Sequence, residues 1–403
     1  MQLKTRLAQL QNQTGSGMRS PAPVPVRSDL QQRLAGIKQE RLNSPPHAIN
    51  RRLANAGLTD RLEGRRIAEG VIQIDRRFPL NGRIGRFALA SLSGNPRLPG
   101  ETGHGERRNV YIDTETTGLS GGSGTIAFLI GIAVVDDAAI KLRQFLLTGF
   151  AGEVALLGAF SDTLSASDRL VSYNGKSYDL PLLLTRFRMQ GLSHPFAGRP
   201  HLDLLHATRR LFGKHWPDCR LTTLEDNLLG FSRAADRPGA EAPAAWFSWL
   251  RHGWAEKLIR VVRHNQQDIV SLAAAHTALA QAAAQPTASA VDLHALARWL
   301  AETDVEPARA LLAAHAGLLC DDGKRLLGQL ARRAGDWPLA VEIWEQLAAG
   351  GCSDALERLA KYHEHISKDL FVAKHYAEKL PVSPAQVRRL SRLRKKLHGP
   401  SVQ

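Results

Sequence analysis

The sequence predicts an α/β domain, a mixed sheet flanked by helices, followed by an all-helical region. Three observations predict it. Between residues 106 and 285, apolar strand-like runs come first and then alternate with segments of helical periodicity. From residue 291 onward the strand patterns stop. The later region also echoes itself: Leu327, Leu330 and Ala331 recur 29 residues on, and Ala340 and Leu347 recur 33 residues on. That period fits stacked helical hairpins of the tetratricopeptide kind.

The elements follow in order. Residues 1–58 are basic and carry "SPAPVPV" and "NSPPHAIN", which predicts a disordered tail with one short helix near "LQQRLAGIKQERL". Residues 59–105 turn strand-like at Val71, Ile72 and Ile74 and break at "NGRIGRF", as a β-rich arm or hairpin laid on the next domain. In the main block, Asn109–Asp113, Ile126–Val135 and Ile140–Leu147 read as strands, the last two joined as a hairpin through "VVDDAAI". Then "EVALLGAFSDTL" reads as a helix, "RLVSYN" as a strand, "YDLPLLLTRFRMQG" as a helix and "HLDLLH" as a short strand. "TTLEDNLLG" and the long "AEKLIRVVRHNQQDIVSLAAAHTALAQAAA" complete the block as helices, and "QPTASA" is a linker. Residues 291–382 hold the helical repeats, and 383–403 form a basic tail.

Bulk properties narrow the function. The net charge of +15 is uneven: residues 1–100 hold 17 Lys/Arg against 6 Asp/Glu, residues 381–403 hold 6 against none, and the middle sits near −2. Basic ends suit a polyanionic partner, because neutralised phosphates release counterions. Solubility alone would explain them too. Cys219, Cys320 and Cys352 form no C-x-x-C pair, which argues against a disulfide framework or a cysteine zinc site and suits a reducing cytoplasm. The longest apolar run, Ile126–Val135, is strand-sized, so no membrane span is expected.

The chemistry concentrates in "DTETTGL". Residues two apart on a strand share a face, so Asp113 and Glu115 project side by side where the strand ends at Thr-Thr-Gly. In "YNGKSYD", Asp179 opens a helix, a favourable place for an anion and also for an ordinary N-cap. In "RHNQQDIVSL", His264 and Asp268 lie one helical turn apart, beside the apolar stripe of Val261, Val262, Ile269 and Leu272. Each signal alone has a plainer reading as a cap or a solvated pair. Together, four carboxylates in one pocket would raise one another's pKa values, and divalent cations with oxygen-ligand preference resolve the conflict.

The three motifs in this order resemble those of the DnaQ-like, or DEDD, 3′–5′ exonuclease superfamily. Across 106–280, with "HLDLLH" and "LTTLEDNLLG" between the second and third motifs, the chain is similar to YprB-like proteins, which pair a ribonuclease H-like domain with tetratricopeptide-like repeats. The leading antiparallel strands followed by helix–strand alternation suit that fold. The resemblance implies Asp113, Glu115, Asp179 and Asp268 as ligands of two Mg²⁺ or Mn²⁺ ions, with His264 as the base. One departure stands out: His264 precedes Asp268 by four residues, the spacing of the superfamily's tyrosine branch, where its histidine branch uses five. Thr116, Thr117, Asn174 and Lys176 are placed to touch the terminal nucleotide, while Asp203 with His201 reads as structural.

The expected function is a metal-dependent exonuclease acting from the 3′ end, on DNA ahead of RNA, in repair or processing. A protein partner such as a helicase would dock on the repeats. The alternative is an inactive nuclease fold kept as a binding scaffold.

Overall fold

The computed structural model describes residues 51–101, 107–118, 124–233, 238–287 and 290–398. The expected disordered stretch and its short helix, as far as residue 50, lie outside them. Residues 51–58, expected within that tail, belong to helix α1 (Arg51–Arg61), whose Leu58 is buried.

The centre is a seven-stranded mixed sheet. Its strands are β1 (Arg65–Ala68), β2 (Val71–Pro79), β5 (Asn109–Thr116), β6 (Ala127–Val135), β7 (Ala139–Leu147), β8 (Arg169–Ser172) and β9 (His201–Asp203), in the order β1-β2-β7-β6-β5-β8-β9. The β1-to-β5 side is antiparallel, and β8 and β9 join β5 in parallel. A separate two-stranded ribbon, β3 (Arg83–Ile84) and β4 (Phe87–Ala88), precedes β5. The segment expected as an arm is therefore part of the sheet, with β2 paired to β7 from Val71↔Leu147 to Pro79↔Ala139. Its first residues, Val71 to Ile74, are all buried, because the strand is covered on both faces where a laid-on arm would be covered on one.

Helices cover both faces. They are α2 (Glu153–Asp162), α3 (Asp179–Met189), α4 (Leu204–Phe212), α5 (Leu221–Leu224), α6 (Pro238–His252) and α7 (Glu256–Ala284). One apolar core joins α2, α3 and α6 to Val110, Ile112, Phe128 and Ile130. The other joins α4 to Tyr111, Ala133, Leu142 and Val171. These sets fall on opposite faces because strand side chains alternate. Helix α7 serves both: Leu258–Val262 pack in the first core and Ile269–Ala280 in the second. Residues 264–268 lie at the changeover, beside β5.

The segment read as one helix over 222–230 is α5 followed by a π turn, Glu225–Leu229, ended by Gly230 at φ 62°. After the linker come α8 (Leu293–Leu300), α9 (Val305–Ala314), α10 (Asp321–Arg333), α11 (Trp337–Ala349), α12 (Ser353–His365), α13 (Leu370–Glu378) and α14 (Pro384–His398). The echoed residues Leu327, Leu330, Ala331, Leu356, Leu359 and Ala360 are all buried. Asp292, Asp304, Asp336 and Asp369 accept backbone N–H groups at helix starts. The helical region joins the sheet domain through Lys214–Asp292 (2.8 Å) and Arg210 over the Trp299 ring. Residues 384–398, expected as tail, are helical instead: Leu393 is fully buried, and Arg392 and Lys396 reach Glu364 at 2.7 and 2.9 Å.

Candidate metal centre

Strand β5 delivers Asp113 and Glu115 to one face. Opposite Asp113 in β6 stands Gly131, and any Cβ there would lie 2.2 Å from both Asn265 Oδ1 and Ile269 Cδ1. A glycine is thus required for α7 to lie this close to the sheet. The close approach lets buried Asn265 donate to Asp113 Oδ2 (2.7 Å) while accepting from Gln144 Nε2 of β7 (2.7 Å). Gln144 Nε2 also donates to the Val262 carbonyl (3.0 Å), and Gln266 donates to Gln144 Oε1 (2.8 Å). This amide chain ties α7 to β5 and β7 and sets where His264 and Asp268 project.

Asp179 arrives from the other side. It is the first residue of α3 and does not cap it; Tyr178 holds the cap position without a side-chain bond. Its carboxylate instead accepts from Thr114 Oγ1 of β5. The preceding turn is held by Asp203, whose carboxylate accepts from the N–H groups of Asn174 (2.7 Å), Lys176 (3.0 Å) and Leu205 (3.1 Å). Asn174 sits in the left-handed region at φ 67°, which asparagine tolerates. His201 bonds Ser172 (2.7 Å), so His201 and Asp203 face the turn as structural partners.

The electrostatics are unbalanced. Burial and the charges of Asp268, Asp179 and Glu115 hold the Asp113 carboxyl well above the usual range. Burial, then Asp268 and Asp179, push Glu115 up to about 8. Burial pushes Asp179 up to about 6 despite the Thr114 hydrogen bond. Asp113 and Glu115 thus lie within electrostatic reach of each other and of both Asp179 and Asp268. Glu115, His264 and Asp268 offer ligand atoms that lie within 4.8 Å of one another, and His264 Nε2 stands 3.3 Å from Asp268 Oδ2.

Of the expected nucleotide contacts, Thr116, Thr117 and Asn174 are half-buried and Lys176 is exposed. Thr116 Oγ1 donates to the Gly118 carbonyl (2.9 Å), and Thr117 Oγ1 accepts from the Ile126 N–H (3.0 Å), both serving the turn after β5. Lys176 has an exposed side chain beside His201.

Sequence reasoning missed Arg233. Its guanidinium grips the fully buried Glu225 through Nε (2.7 Å) and Nη2 (2.6 Å), and also reaches Asp268 and His264 Nδ1 (3.1 Å). The π turn aims Glu225 inward, and such turns recur at functional sites. No local pattern marks that contact; Glu225 stands in "LTTLEDNLLG" among other polar residues, where an acidic group reads as solvated.

The fold and this acidic pocket define a nuclease-like ribonuclease H domain. Residues 110–280 match the RNase_H superfamily. The chain is 30% identical over 324 residues to the uncharacterized protein YprB of Bacillus subtilis (strain 168), covering 75% of this chain and 78% of that protein. It belongs to that YprB family within the ribonuclease H superfamily. Among solved structures, the family B DNA polymerase from the hyperthermophilic archaeon Pyrobaculum calidifontis is similar at 14% identity and a TM-score of 0.35, over 52% of this chain and 29% of that one. No helix among the described residues is long and apolar enough to cross a membrane.

Proposed function

We propose that this chain is a divalent-metal-dependent exonuclease of the DEDD type, removing nucleotides from the 3′ end of DNA, or of RNA, in repair or processing. The observation that supports it is the elevation of Asp113, Glu115 and Asp179, one buried and two half-buried carboxylates that meet no arginine or lysine among the described residues. Buried carboxylates without a counter-charge cost several kcal/mol each, on the order of the usual penalty for an unpaired ion. Hard oxygen donors in this number suit Mg²⁺ or Mn²⁺, and Asp113, Glu115, Asp179 and Asp268 would hold two such ions. Bound ions of this kind lower the pKa of an attacking water and offset charge on the phosphoryl group.

The chain's own groups do the rest. Asn265 fixes the Asp113 carboxylate and Thr114 fixes that of Asp179, so both present their remaining oxygens to the pocket. His264, one turn from Asp268, is the group to accept a proton from water, an effect typically of about 10²–10⁴-fold. The Thr116–Thr117 turn and the Asn174–Lys176 turn flank the pocket and would meet the terminal nucleotide. The tetratricopeptide-like hairpins offer a surface for a protein partner such as a helicase.

The test uses end-labelled single and double strands of DNA and RNA, with Mn²⁺, Mg²⁺ or EDTA. Stepwise shortening from the 3′ end, lost with EDTA and reduced by at least about 10³-fold in Asp113→Ala, is expected. Equal behaviour of wild type and variant would sink the proposal and favour a binding scaffold.

A further inference from the structure

We propose that Arg233 is a resident counter-cation of the acidic pocket, anchored on Glu225 and competing with divalent cations for Asp268. The inference rests on the metal-dependent reading above and adds a residue to it.

Four carboxylates are gathered here; three meet no arginine or lysine among the described residues, and the fourth, Asp268, has Arg233. The guanidinium is mostly buried, and its anchor Glu225 is completely so. Arginine stays charged at any working pH, so this positive charge cannot be titrated away. Its bidentate grip on Glu225 uses Nε and Nη2, the strong fork geometry, and fixes where the remaining N–H groups point. They point at Asp268 and His264.

The contact also occupies the imidazole. Arg233 Nη1 can only donate, so His264 Nδ1 accepts from it. In a neutral ring the proton is then on Nε2, which faces Asp268 Oδ2 at 3.3 Å. Both ring nitrogens are committed, and neither is free to take a proton from water. The seated arginine therefore withholds one carboxylate and the imidazole together. Withdrawing it from Asp268 frees both, while Glu225 keeps the guanidinium beside the pocket. Cation binding and arginine seating are thereby coupled, and the coupling is reciprocal.

The test is Mn²⁺ titration calorimetry on the full chain. Arg233→Met alone would strand the buried Glu225 charge, so the working variant is the double substitution R233M/E225Q, with its folding checked by thermal unfolding. It should bind Mn²⁺ about tenfold more tightly than wild type, an ordinary size for a coupling. Arg233→Lys, which keeps the charge and loses the fork, should fall between the two. Wild-type binding with no tightening in the double variant overturns the role of Arg233 and leaves the nuclease reading intact. Absence of Mn²⁺ binding in all three proteins overturns both.

Discussion

The chain buries carboxylates in two different ways. In the helical region Glu364 is fully buried and is met by Arg392 through both oxygens and by Lys396, so these cations hold its pKa down to about 2. Elsewhere in the sheet domain Asp168 is met by Arg108, and Glu153 by Arg186 at 2.6 Å. At the end of β5 the pattern inverts, and Asp113, Glu115 and Asp179 are pushed up instead. Carboxylates of the first kind are finished by the chain itself. Those of the second meet no arginine or lysine among the described residues. Between them stands Asp268, which has one arginine and two acidic neighbours, Asp113 and Glu115.

The two kinds respond to pH with opposite sign, and this is the largest effect expected. Glu115 and Asp179 bind protons more tightly folded than unfolded, so their contribution to stability is complete below about pH 4 and is lost as pH rises through about 6 and then 8. Without added metal the loss should be a few kcal/mol, since one pKa unit is about 1.4 kcal/mol. Glu364 contributes in the other direction, present above about pH 4 and lost as pH falls toward 2. Urea unfolding from pH 4 to 9, on wild type and Glu115→Gln, isolates the site as the difference between the two. That difference should shrink with saturating Mn²⁺. A difference that is flat across the range breaks the comparison.

A smaller effect tests the finished kind. Glu364→Gln should destabilise the protein by about 2 kcal/mol, the scale of hydrogen bonds to a buried charged group, with no change in Mn²⁺ affinity. Chemical unfolding read alongside calorimetry checks both halves. An altered Mn²⁺ affinity would mean that the two regions are coupled and the contrast is not local.

How far the sequence alone reached follows the same division. The alternation of β5 and the i,i+4 spacing on α7 are local, and they placed Asp113, Glu115, His264 and Asp268 on the correct elements. Asp179 opening α3 was legible for the same reason. What escaped depends on distant pairings. The place of β2 in the sheet is fixed by β7, and nothing within residues 59–105 announces that partner. The Glu225–Arg233 contact depends on a π turn whose extra residue no helical period reveals. Gly131 did leave a signal, a glycine within an apolar run, while Gln144 and Asn265 stand beside other polar residues; the meaning of all three lies in the close packing of α7 on the sheet. Helix α14 was hidden by its charge. Leu390, Leu393 and Leu397 fall at helical spacing, and Leu390 and Leu393 pack in the core that seats it.

That helix carries the smallest predicted effect. Its inner face holds Leu393 and Gln386 against the preceding hairpin, and Arg389, Arg392 and Lys396 are used on Glu357 and Glu364. Arg388, Arg394 and Lys395 remain on the exposed side. The last helix thus has cations that the neighbouring carboxylates do not use, and the acidic pocket has carboxylates that no arginine or lysine among the described residues meets. A polyanionic strand fits the first surplus as divalent ions fit the second. Truncating residues 381–403 would test this poorly, because it also uncovers Glu364 and the Leu393 slot. Replacing Arg388, Arg394 and Lys395 together by Gln leaves the packing face alone. If all three meet phosphates, the slope of log affinity against log salt on duplex DNA should flatten by about 2.7, at about 0.9 for each contact. Binding isotherms at several salt concentrations read that slope. An unchanged slope would assign these cations to solvation and leave the acidic pocket, among the described residues, as the place built for charge that its own side chains do not supply.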